Sequence, residues 1–255
     1  MPRRIRLESS LSTYHVVMRG NDKQDIFFDD QDRQRYINVL REYNEEYQFD
    51  YRAYCLMDNH VHLVLRAKLE ELSDYIKRTN ISFVYWYNKK YDRCGHLFQD
   101  RFKSEAIFSE RHLKNAVRYV HNNPFNAGII SNITNYKWSS LGDYIDNTGL
   151  TDVEAVLKFF EGSSPLKDFL YFHGEPNEDV FLDYEGNPRF MSDEIAFKKI
   201  TTCFGENFLS DLKASPRDER NAIIRHLCDE GYSVSQLARI TRYSRGLINL
   251  IKNVQ

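Results

Sequence analysis

Two strand-like apolar runs, residues 51–57 and 60–66, are separated only by Asp58-Asn59. Asp and Asn side chains bond to nearby main chain and tolerate left-handed backbone, so this pair predicts a tight hairpin turn. A connection that short makes its two strands antiparallel neighbours, which constrains the fold more than any other feature of the chain. The second run opens with His60-Val61-His62. Residues two apart in a strand share a face, so both imidazoles emerge side by side. That geometry suits a divalent metal and leaves positions open for a substrate.

The hairpin sits within a longer alternation. Residues 13–19 read as a first strand ended by Gly20-Asn21, and Asp29 or Asp30 can cap a helix to Tyr47 with Tyr36, Ile37, Leu40 and Tyr43 at helical spacing. A second helix is expected over 69–91, with Leu72, Ile76, Ile81 and Val84 inward; a short strand follows over 104–108. A third helix, 110–122, stops before Asn123-Pro124, because a residue preceding proline disfavours helix. Tyr119 and Asn123 lie one turn apart there. The order predicts an α+β fold, a ferredoxin-like antiparallel sheet with helices on one face.

Net charge is −2 over 255 residues, but it is unevenly spread. Residues 1–145 carry 22 Lys and Arg against 19 Asp and Glu, residues 146–211 carry 5 against 14, and residues 212–255 carry 8 against 4. Charge thus divides the chain into a domain 1–145, an acidic helical and loop spacer 146–211 with no assigned chemistry, and a basic module 212–255. In that module a helix over 218–229, a helix capped by Ser233, the turn Thr241-Arg242-Tyr243 and a helix capped by Ser244 form a helix-turn-helix pattern. Arg242, Arg245, Asn249 and Lys252 decorate its second helix as candidate DNA contacts. Four scattered cysteines, no signal-peptide core and no membrane-length apolar stretch lead to the expectation of a cytoplasmic, nucleoid-associated protein with no membrane partner.

Four ordered blocks carry a family resemblance: Tyr14-His15-Val16-Val17-Met18-Arg19-Gly20-Asn21, Met57-Asp58-Asn59-His60-Val61-His62-Leu63, residues 95–104, and Tyr119-Val120-His121-Asn122-Asn123-Pro124-Phe125-Asn126-Ala127-Gly128. Together they resemble the single-tyrosine HUH transposases, nearest to the REP-associated tyrosine transposases. The resemblance implies that His60 and His62 bind Mg²⁺ or Mn²⁺ and that Tyr119 is the nucleophile, leaving a 5′-phosphotyrosine on single-stranded DNA beside a hairpin. It implies Asn123 as third ligand, where many relatives carry Gln. Asn is one methylene shorter, so its helix must approach more closely or a water must intervene.

Arg19, Lys23, Arg101 and Lys103, with Arg111 and Lys114, are candidate phosphate contacts. His15, His96 and His121 read as ordinary hydrogen-bonded histidines, and Asn59 as a turn residue. Mobile relatives form homodimers with shared sites, while domesticated ones act alone, so the resemblance leaves both arrangements open. The alternatives are a non-catalytic DNA-binding regulator that keeps the fold, for which neither the histidines nor Tyr119 would be needed, and a nickase of the wider HUH class.

Overall fold

The computed structural model describes residues 8–99, 101–175, 181 and 192–253. The chain divides into two compact units that part between Asn177 and Glu178. That division falls inside the acidic stretch 146–211, not at the positions where charge changes sign. Apolar faces decide it: Phe169 is buried in the first unit, while Ala196, Ile200 and Phe208 join the core of the second.

The first unit is built on strands β1 (Thr13–Arg19), β2 (Asp50–Leu56), β3 (His60–Arg66) and β4 (Lys103–Ile107), with helices α1 (Asp30–Tyr47), α2 (Leu69–Lys90) and α3 (Glu110–Asn126). Three shorter helices follow, α4 (Leu141–Asp146), α5 (Glu154–Leu157) and α6 (Pro165–Gly174). The sheet order is β2-β3-β1-β4, antiparallel throughout, so the first strand made lies in the middle. The β-α-β-β-α-β order on this sheet is the ferredoxin-like arrangement.

Register assigns the faces. Arg19 lies opposite His60, Val17 opposite His62 and His15 opposite Val64, so His15, Val17, Arg19, His60 and His62 share one face. Tyr14, Val16, Met18, Val61, Leu63 and Leu65 line the other, where α1 and α2 pack. There the Tyr36 hydroxyl reaches Met18 Sδ at 3.4 Å, and Tyr36 meets Phe83 edge-to-face at 5.0 Å between centroids. α3 lies against the histidine face.

Two local expectations change. The inner stripe of α2 is Leu72, Tyr75, Ile76, Thr79, Phe83 and Tyr87, whereas Ile81 is 59% exposed and Val84 half-buried. The large aromatics set this stripe, and a residue two places past Thr79 points away from it. α3 does not stop at Asn122 but runs through Pro124 to Asn126. Proline there removes only the bond to the Val120 carbonyl, and the N–H groups of Ala127, Gly128 and Ile129 close the end on Asn123, Phe125 and Pro124.

The second unit holds α7 (Asp193–Phe204), α8 (Phe208–Ala214), α9 (Arg217–Asp229), α10 (Val234–Thr241) and α11 (Arg245–Asn253) around one apolar core. Ser233 caps α10 by accepting the Gln236 N–H, and Ser244 accepts the Leu247 N–H at the start of α11. Leu237, Ile240, Ile248 and Ile251 are buried inward, and Arg242 makes the sharp turn with φ +61°. Among the described residues, no helix is long and apolar enough to cross a membrane, and the four cysteines are free thiols.

Candidate functional site

The hairpin turn positions His60. Asn59 donates its Nδ2 to the Lys23 carbonyl at 3.3 Å, which orients its Oδ1 toward His60. That oxygen only accepts, so His60 Nδ1, 2.6 Å away, carries the proton and Nε2 keeps its lone pair. The loop from Gly20 to Gln24 makes this contact possible. Gly20 donates its N–H to the Asn59 carbonyl at 2.9 Å, and a Cβ at Gly20 would come within 2.1 Å of the Gln24 carbonyl oxygen. Only glycine fits this close approach.

Across from the strand, Asn123 on α3 presents Oδ1 at 3.3 Å from His60 Nε2. With the proton on Nδ1, both facing atoms are lone-pair donors. Two such atoms at this separation resemble neighbouring ligands of one cation more than a hydrogen-bonded pair. His62 stands beside His60, edge-to-face at 4.8 Å between ring centroids. It is fully buried, and its Nδ1 meets His15 Nε2 at 3.0 Å. Burial, then the neighbouring charges of His60, His15 and Arg19, push its pKa well below the usual histidine range, so His62 is a neutral imidazole at neutral pH. A neutral ring is the form that ligates a metal.

Tyr119 closes the cluster. Its ring stands edge-on to His62 at 5.8 Å and to His15 at 6.0 Å, and it is half-buried. The structure therefore brings Tyr119, His60, His62 and Asn123 of one chain together, and the shorter Asn side chain reaches His60 directly.

The candidate phosphate contacts fall into groups. Arg19 is half-buried and opposite His60, and Lys103 is exposed and opposite Val17, so register places both on the histidine face. Lys23 is exposed on the loop that holds Asn59, and Arg101 is exposed before β4. Arg111 is exposed at the start of α3, while Lys114 lies over the Phe160 ring at 5.3 Å. Arg242, Arg245, Asn249 and Lys252 are exposed and belong to the second unit, the last three at i, i+4 and i+7 along α11.

Some residues carry more than their sequence context indicates. Asn59 fixes a tautomer besides making a turn, and His15 buttresses His62; strand parity from His60-Val61-His62 across to β1 is the signal that could have found His15. His96 is exposed. His121 is a fully buried helix histidine bonded to Ser140 and His173, as its ordinary reading held.

Residues 8–123 match the family described as Transposase IS200 like, a span from just before β1 to Asn123. Among solved structures, the chain is similar to a REP-associated tyrosine transposase bound to a REP hairpin, at 15% identity and a TM-score of 0.51, over 60% of this chain and 90% of that one. At this identity the likeness is one of fold. No curated protein matches the chain.

Proposed function

We propose, from the match of residues 8–123 to the IS200-like transposase family, that the first unit cleaves and rejoins single-stranded DNA through a covalent bond to Tyr119. The observation that carries this reading is the convergence of His60 Nε2 and Asn123 Oδ1 at 3.3 Å, with Tyr119 edge-on to His62. These donors fit a hard or borderline divalent ion, and His60, His62 and Asn123 would hold Mg²⁺ or Mn²⁺. Such an ion, when bound, would neutralise charge on a phosphate oxygen and favour in-line attack.

The protein residues divide the remaining work. The Tyr119 hydroxyl gives up its proton as Oη attacks phosphorus, forming a Tyr–O–P bond to the 5′ side while the P–O3′ bond breaks and the leaving 3′ oxygen takes up one proton in exchange. The phosphotyrosine conserves the bond energy, so an incoming 3′-OH reverses the step and joins strands without a nucleotide triphosphate. Asn59 holds the His60 imidazole in its tautomer and His15 buttresses the His62 ring, as outer partners of ligating histidines do. Arg19 and Lys103 on the same face, with Lys23 and Arg101 beside it, bind the strand's phosphates. A hairpin is the substrate feature suggested by the similar transposase, which is bound to one. The exposed basic face of α11, formed by Arg245, Asn249 and Lys252, contacts duplex DNA together with Arg242 in the turn that precedes it.

The test uses a single-stranded hairpin oligonucleotide from the flanks of the chain's own gene, with Mn²⁺, read on a denaturing gel. The wild-type chain gives a covalent adduct, and Y119F gives none while binding the oligonucleotide with unchanged affinity. Adduct formation by Y119F would overturn the nucleophile. Binding without adduct by the wild-type chain would favour the second reading, a DNA-binding regulator acting through α11.

A further inference from the structure

The hydrogen bonds that seat α3 run in one direction through two imidazoles. His173 Nδ1 lies 2.7 Å from the Phe169 carbonyl oxygen, which can only accept, so Nδ1 carries the proton. In the neutral ring His173 Nε2 is then the acceptor for His121 Nδ1–H at 3.0 Å. His121 Nε2 in turn accepts from the Ser140 hydroxyl at 2.8 Å, and Ser140 Oγ accepts the Tyr54 N–H at 2.8 Å. Both histidines are buried, at 0% and 2% exposure, and burial holds both well below the usual histidine pKa. The relay links β2, the start of α4, α3 and α6.

Two further contacts grip the same side of α3. Asn122 Nδ2 donates to the His173 carbonyl at 3.0 Å, and the Arg118 guanidinium lies 4.0 Å over the Phe172 ring. Arg118, His121 and Asn122 are at i, i+3 and i+4, one flank of the helix, while Tyr119 and Asn123 occupy the adjacent flank. Whatever holds the first flank sets the rotation of the second.

We propose that Ser140, His121 and His173 form a positioning device that fixes the rotation of α3 and so places the Tyr119 hydroxyl against the phosphate. The proposal rests on the reading of Tyr119 as nucleophile. His173 and Ser140 lie beyond the matched residues 8–123, so the support comes from sequence outside the family domain. A tyrosine hydroxyl sits roughly 8–9 Å from its helix axis, so a rotation of about 7° moves it about 1 Å, a displacement that costs roughly 100-fold in rate.

The experiment measures the adduct-forming rate at saturating hairpin oligonucleotide with Mn²⁺, and the dissociation constant for that oligonucleotide, on the full chain. H173A removes the acceptor for His121, and its rate falls about 10–100-fold while the dissociation constant stays within about twofold. H173Q, which keeps an acceptor toward His121 and a donor toward Phe169, recovers to within about threefold of wild type. If circular dichroism shows H173A unfolded, S140A cuts the relay at its other end and shows the same selective loss. A folded H173A or S140A that labels at the wild-type rate overturns the positioning role, as does H173Q no faster than H173A. A wild-type chain that forms no adduct overturns the nucleophile reading, and this proposal with it, which separates the two failures.

Discussion

His173 shows how a buried neutral imidazole couples a site to pH. Desolvation pulls its pKa down to about 4, against the favourable bond to the Phe169 carbonyl. Because the folded value lies below the unfolded one, the unfolded chain takes up the proton first. Stability is therefore full above about pH 6.5 and is lost as pH falls toward 4, by on the order of 3 kcal/mol at full titration. Melting curves between pH 7 and 4 should show a falling midpoint, and H173F should flatten that slope. An equal slope in H173F would place the acid sensitivity elsewhere. At this scale the sequence marks the residues that converge and is poor about their support. His60, His62, Tyr119 and Asn123 carry local motifs, whereas the pairing of His121 with a histidine 52 positions later is a tertiary contact with no local signature.

Elements were legible where periodicity and caps agree. Asp29 caps α1 through a reciprocal box with Asp32, and the Asp58-Asn59 hairpin lies between β2 and β3. The inner face of α2 was placed rightly at Leu72 and Ile76 and wrongly at Ile81 and Val84, because Phe83 and Tyr87 continue the stripe there and volume decides. The acidic stretch was read by its charge, which describes its solvent side and is silent on Phe169 and His173. In the second unit the turn between α10 and α11 depends on Arg242, a non-glycine residue with φ +61° at the helix C-terminus. Glycine adopts this conformation without steric cost, so R242G should exceed R242A in stability by about 1 kcal/mol, the reverse of the order inside a helix. Urea titration of the two variants checks this, and an R242A that is the more stable would show the turn to be unstrained.

For the whole molecule, the proposed function gives each of the two units its own kind of DNA contact. R245A/K252A should lower the slope of duplex affinity against salt by about 2, one for each lost phosphate contact, with adduct formation at saturating hairpin unchanged. A titration from low to moderate salt measures the first and the gel the second; an unchanged slope would remove α11 from the DNA surface. Deleting residues 212–255 is the poorer experiment, because Ala196, Ile200 and Phe208 would lose the core they share with Ile224, Leu227 and Ile248. The order of β2-β3-β1-β4 also has a consequence for synthesis. Thr13 pairs with both Arg66 and Ile107, so the strand translated first is the last to be flanked on both sides. On a ribosome adding about 5–20 residues per second, β1 waits roughly 5–20 s for its second neighbour. Through that interval Val16, Val17 and Met18 stay an open apolar edge, a binding site for chaperones and a hazard for misassembly between nascent chains.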